Sequence, residues 1–180
     1  EILAEHRYGA DWRVAAGAVF GGQGSLGNGG AMRVAPLGAF FSSESDAVVV
    51  EQAALSAQVT HAHPEGQAGA VAVALAAAWA ARNPGAGERS SGMLEHAHAL
   101  TPESQVRDGL AAAQALPFES SVETAVAALG NGARVTAMDT VPFALWCAAR
   151  HADDYREALW TTVSGLGDRD TTCAIVGGIV

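Results

Sequence analysis

Residues 68–81 read Ala-Gly-Ala-Val-Ala-Val-Ala-Leu-Ala-Ala-Ala-Trp-Ala-Ala, fourteen positions with no charged side chain. Alanine is the strongest helix former, and this run has almost no polar face to turn toward water. At 1.5 Å per residue it is about 21 Å long, short of the ~30 Å hydrocarbon core of a bilayer. It therefore reads as a helix buried inside a protein. Pro64 stands at a first helical position and Asn83-Pro84-Gly85 ends the pattern. The small side chains let neighbouring helices approach closely, which directs the chain toward helix-on-helix packing.

The rest of the sequence agrees. Residues 121–129 place Val122, Ala125, Val126 and Leu129 at i, i+3, i+4 and i+7, and Ser120 with Glu123 has capping-box spacing. Residues 104–116 repeat the period with Val106, Leu110 and Ala113 behind Pro102 and Glu103, and residues 45–59 align Val50, Ala53, Ala54 and Ala57. Residues 139–150 and 154–163 predict two helices joined by a short turn, and a last helix begins near Asp170. Residues 14–20 are the single strand candidate. The glycine-rich stretches 21–30, 83–92 and 130–132 read as loops. No internal repeat occurs. The expectation is an all-α fold, a compact helical array forming one domain over residues 1–180.

Composition narrows the function. The 180 residues are 49% hydrophobic and 16% charged, which suits a globular core. Nineteen acidic residues face ten basic ones, all Arg, for a net charge of −9. That balance excludes a general nucleic-acid binder and favours cation sites built from carboxylates. Cys147 and Cys173 make neither a disulfide framework nor a thiolate zinc site. No signal-peptide pattern opens the chain and no run is long enough for a membrane span, so a reduced cytoplasmic setting is expected. The chain starts without Met and stops inside the apolar run 173–180, which reads as a piece cut from a longer protein.

Three places carry chemistry. Residues 21–30, Gly-Gly-Gln-Gly-Ser-Leu-Gly-Asn-Gly-Gly, run into a predicted helix over 31–40. Bare backbone N–H groups and a helix N-terminus suit a phosphate or diphosphate, with Ser25 and Asn28 adding side-chain hydrogen bonds; a flexible connector is the alternative. Gly22, Gly24 and Gly27 also spell G-x-G-x-x-G, which demands a preceding strand and a βαβ unit to bind a dinucleotide. Gln23 breaks the nucleophile-elbow pattern.

Asp168 and Asp170, two apart in the turn entering the last helix, can converge with the Thr171 hydroxyl as a hard oxygen site for Mg²⁺, Mn²⁺ or Ca²⁺. The alternative is simple helix capping. His61-Ala62-His63-Pro64-Glu65 lies between two helices; it can bind metal or do acid–base work, or it can close the turn. His96 and His98 read as a surface pair, and the tryptophans other than Trp12 read as core.

Taken in order, the stretches 25–36, 60–65 and 167–171 resemble the ADP-ribosylglycohydrolase family, which includes dinitrogenase-reductase-activating glycohydrolases and crystallin-like members. The resemblance runs from about Tyr8 to the last residue. It implies an all-α fold, incomplete here at both ends, with two Mg²⁺ or Mn²⁺ ions in a cleft. The implied activity is hydrolysis of the bond between ADP-ribose and a protein, nucleic acid or small molecule. It makes Asp168, Asp170 and Thr171 metal ligands, and Ser25, Gly27, Asn28, Gly29 and Gly30 the diphosphate loop, with Met32 and His61 lining that pocket. The implied partner is ADP-ribose or an ADP-ribosylated substrate.

Three departures stand out. Arg169 occupies a position where Thr is commonest, Leu166 replaces the first of two glycines, and no Thr-Asp-Asp segment occurs. The resemblance implies that the family's N-terminal part, with a Gly-Asp and a Thr-Asp-Asp segment, supplies the other metal ligands and the acid/base carboxylate. The expectation is thus an enzymatic parent and an inactive 180-residue piece. A non-catalytic ADP-ribose-binding or crystallin-like protein is the alternative, and a dinucleotide-binding oxidoreductase a more distant one.

Overall fold

A computed structural model of the chain describes residues 11–84 and 86–180. Among the described residues eleven α-helices follow one another. They are α1 (Trp12–Gly22), α2 (Gly29–Met32), α3 (Ala35–Phe40), α4 (Asp46–Gln58), α5 (Pro64–Arg82), α6 (Ala86–Leu100), α7 (Gln105–Ala115), α8 (Val122–Leu129), α9 (Ala137–Arg150), α10 (Tyr155–Ser164) and α11 (Arg169–Ile179). A 3-10 turn, Phe41–Ser43, follows α3. The described residues include no strand, only an isolated antiparallel bridge between Gly27 and Thr136. The fold is all-α.

The alanine-rich α5 is the central pillar. Every residue from Ala68 to Ala78 is buried, and the helix packs against α2, α3, α4, α6, α7, α9 and α11. Its small side chains make this crowding possible. A Cβ added at Gly38 of α3 would run into the carbonyl oxygen of Ala74, so the two backbones touch where only glycine fits. The second pillar, α9, carries the large side chains that fill the remaining core, above all the fully buried Phe143 and Trp146. Its internal Pro142 lies over Gly109 of α7, where a Cβ would collide with the ring.

Several expectations need correction. Residues 14–20 are not a strand: they lie in α1, which leaves helical geometry at Val19, Phe20 and Gly21. The G-x-G-x-x-G therefore follows a helix and opens no βαβ unit, and the dinucleotide reading falls. Residues 31–40 form two short helices, α2 and α3, because Arg33 and Val34 interrupt them. The loop expected over 83–92 is mostly the start of α6. Ser121, not Ser120, caps α8, its Oγ accepting from the Thr124 N–H.

His96 is not a surface residue: its ring packs on Trp79 at 4.9 Å and approaches Asp46 at 3.3 Å. Trp160 is not core, being 60% exposed. No helix among the described residues is long and apolar enough to cross a membrane.

Candidate functional site

The glycine loop is pinned rather than free. Leu26 O accepts from Ala137 N at 3.0 Å, and Asn28 N–H donates to Val135 O at 3.3 Å, which ties the loop to the segment entering α9. The Gly27 N–H donates to Ser25 Oγ at 3.2 Å. Two of the N–H groups expected to cradle a diphosphate are thus already used. The first turn of α2 still bares N–H groups at Gly29 and Gly30, where no intrahelical acceptor exists.

Ser25, Gly27, Asn28, Gly29 and His61 line one cleft of about 580 Å³, together with Phe20, Leu26, Arg134, Val135 and Thr136. Gly30 and Met32 are not in its wall. Phe20 and Val135 both hold left-handed backbone angles (φ 54° and 56°) and leave their side chains largely exposed at this cleft. Sequence reading missed both, along with Arg134, because turn strain at non-glycine residues leaves no mark in composition.

His61 is fixed by a relay. Arg33 donates to Gly29 O, Ser56 O and Thr60 Oγ1, and Thr60 Oγ1 lies 2.7 Å from His61 Nδ1. The other ring nitrogen, Nε2, faces Gly27 and Gly29. Burial, and then the Arg33 charge, hold the His61 pKa below its ordinary value, so the ring is neutral near pH 7.

The other members of that motif are structural. His63 Nδ1 accepts from Glu65 N, and the Glu65 carboxylate caps α7 by accepting from Gln105 N at 2.8 Å and Val106 N at 3.2 Å.

The acidic turn sits beside the loop. Asp168 is the N-cap of α11, with Oδ1 accepting from Thr171 N at 3.4 Å. Its Oδ2 accepts from Asn28 Nδ2 at 2.7 Å, and the same amide reaches Thr140 Oγ1 at 3.0 Å. Asn28 is 4% exposed. Thr171 is buried, its hydroxyl donating to Met32 Sδ at 3.9 Å, whereas Asp170 is exposed.

The loop before α9 grips this turn. Asp168 N–H donates to Asn131 O at 3.1 Å, and a Cβ at Gly132 would come within 2.7 Å of the Asp168 Cβ. Burial pushes the Asp168 carboxyl up, but its interaction with the neighbouring Asp170 carboxyl and the hydrogen bonds it accepts from Asn28 and Thr171 outweigh this and hold the group below the usual range. Leu166 takes φ 57°, the conformation a glycine would favour, so the turn survives the substitution at the expense of local strain.

Asp168, Asp170 and the Thr171 hydroxyl are hard oxygen donors of the kind Mg²⁺ and Mn²⁺ prefer, and each Asp168 oxygen keeps a lone pair beyond its protein hydrogen bond. They fit one side of a cation site. Mg²⁺ takes six ligands, and the described residues contain no cluster of three or more His, Cys, Asp or Glu able to hold a metal.

Comparison with known proteins adds context. The family profile described as ADP-ribosylglycohydrolase matches residues 2–180. ADP-ribosylhydrolase ARH3 of Mus musculus is 34% identical over 90% of this chain and 50% of its own length. The Homo sapiens protein of that name is 33% identical over 90% of this chain and 51% of its own. An uncharacterized protein of Archaeoglobus fulgidus is 32% identical, covering 84% of this chain and 47% of its own. The chain spans about half the length of the curated relatives it matches.

Proposed function

The chain belongs to the ADP-ribosylglycohydrolase family, and on that premise we propose that the whole protein is a hydrolase that removes ADP-ribose from a modified protein, nucleic acid or small molecule. The observation that carries this reading is the placement of Asn28. Asn28 lines the glycine-loop cleft, and its side-chain amide holds the Asp168 carboxylate of the acidic turn. Neither Asp168 nor Asp170 lines the cleft itself, so a ligand with its phosphates on the loop would reach the acidic turn by extending past Asn28. The relatives named ADP-ribosylhydrolase ARH3 support the same ligand class.

Each residue has a stated task. The Gly29 N–H group, in the cleft wall, donates to the diphosphate. With its proton on Nε2, the neutral His61 ring would offer a donor to the same group. Phe20, Leu26 and Val135 give the cleft apolar walls suited to a flat base. Asn28 orients Asp168 and keeps it ionised. Asp168, Asp170 and Thr171 would hold Mg²⁺ or Mn²⁺, two ions in the whole protein, which when bound would supply positive charge beside the bond being hydrolysed. Three donors from this chain are too few to hold such ions tightly, so the 180-residue piece binds Mg²⁺ or Mn²⁺ weakly and releases no ADP-ribose.

The test is Asn28→Ala in the whole protein, titrated calorimetrically with ADP-ribose. The Asn28 amide holds Asp168 and Thr140 rather than the ligand, so its removal acts by freeing the Asp168 carboxylate and is expected to weaken binding by about 1–2 kcal/mol. Unchanged affinity would show that the Asn28–Asp168 bridge does not position the ligand. Metal-dependent hydrolysis by the 180-residue chain alone would show that ligands from outside it are not required. A non-catalytic ADP-ribose-binding protein is the second reading. The whole protein would then bind ADP-ribose without turning over any ADP-ribosylated substrate.

A further inference from the structure

We propose that Arg134 selects phosphate-bearing ligands over uncharged nucleosides in the glycine-loop cleft; this rests on the ligand class proposed above. The cleft needs positive charge. Backbone N–H groups offer partial charges only, while the chain as a whole carries a net charge of −9, a field that opposes an incoming diphosphate. Among the described residues Arg134 is the only arginine lining the cleft, and the chain has no lysine.

The other charged groups nearby are committed elsewhere. Arg33 spends its guanidinium on Gly29 O, Ser56 O and Thr60 Oγ1. His61 is held neutral. Asp139, the acid that would ordinarily neutralise Arg134, instead accepts from the Arg134 backbone N–H at 2.9 Å. Among the described residues the exposed Arg134 guanidinium has no ion pair and no hydrogen bond.

The backbone around it is held in place. Gly132 N–H donates to Asp139 O at 2.8 Å, Val135 N–H to Gly132 O at 2.7 Å, and Val135 takes its left-handed angle directly after Arg134. Arg134 also lines a second cleft, of about 490 Å³, so it stands on the wall between the two. An arginine set on a fixed turn, with its fork of donors unspent, suits phosphate oxygens better than any other group in the wall.

The experiment titrates the whole protein, as wild type, Arg134→Gln and Arg134→Lys, with ADP-ribose, ADP and adenosine at two salt concentrations. Arg134→Gln is expected to weaken ADP-ribose and ADP about tenfold, or about 1.4 kcal/mol. Adenosine should be unaffected, and the salt dependence of ADP-ribose binding should flatten. Arg134→Lys is expected to recover part of the loss. Thermal melts of both variants should match wild type, because the side chain is exposed.

An Arg134→Gln protein that keeps the wild-type preference for ADP-ribose over adenosine overturns the role of Arg134 and leaves the ligand reading standing. Equal weakening of adenosine also overturns it, by marking a shape effect rather than a charge effect. A wild-type protein that binds neither ADP-ribose nor ADP overturns both readings.

Discussion

Replacing Asn28 by Ala in the 180-residue chain tests the joint between loop and acidic turn through stability alone. The change deletes a buried amide that donates to the Asp168 carboxylate at 2.7 Å and to Thr140 Oγ1 at 3.0 Å. A hydrogen bond to an ionised group is worth about 1.5–3 kcal/mol, and a neutral one about 0.5–1.5. Thr140 keeps its bond to Thr136 O, and Asp168 keeps the one from Thr171 N. The expected loss is therefore about 2–3 kcal/mol, a Tm drop of roughly 5–10 °C for a chain of this size.

Asp168 has a folded pKa below its ordinary value, so the Asn28 bond contributes above the unfolded value of 3.8 and is lost as pH falls through the folded one. Urea melts at pH 7 and at pH 3, with EDTA present, should show a larger loss at pH 7 than at pH 3. A double-mutant cycle with Asp168→Asn should give a coupling above about 1 kcal/mol. Additive effects, or a pH 7 loss under about 0.5 kcal/mol, would mean that water replaces the amide and that the bridge holds nothing.

Three further outcomes are expected. In the whole protein, Asp170→Asn should abolish ADP-ribose release in a turnover assay while leaving the circular dichroism spectrum unchanged, since it removes charge at nearly constant volume from an exposed residue. Leu166→Gly should raise stability by about 0.5–1 kcal/mol in thermal melts. It relieves a left-handed leucine costing about 1–2 kcal/mol, loses little burial because Leu166 is 61% exposed, and gives back part of the gain as unfolded-state entropy. His61 and His151 both have folded pKa values below 6.5, so the unfolded chain takes up protons first as pH falls. Stability should be fully present above about pH 6.5 and decline below it until the folded rings also protonate; His61→Gln should flatten that slope in a melt series.

The sequence alone determined the fold class, because an all-apolar alanine run has only one stable use in water and the remaining helices repeat the 3.6-residue period. It also located the acidic turn and the glycine loop, since both depend on local chemistry: carboxylates at a helix start and a run of glycines. It misplaced residues 14–20, 31–40 and 83–92, where apolar or glycine-rich composition fits more than one local conformation and tertiary contacts select among them. Composition could not show that the loop spends the N–H groups of Gly27 and Asn28 on Ser25 and on Val135, more than 100 residues away. Nor could it show that His63 and Glu65 cap helices while their neighbour His61 faces the cleft. The Asn28–Asp168 bridge joins residues 140 positions apart. Only the packing of α2, α9 and α11 against α5 brings them together, because hydrogen bonds form between groups close in space and no local pattern records that distance.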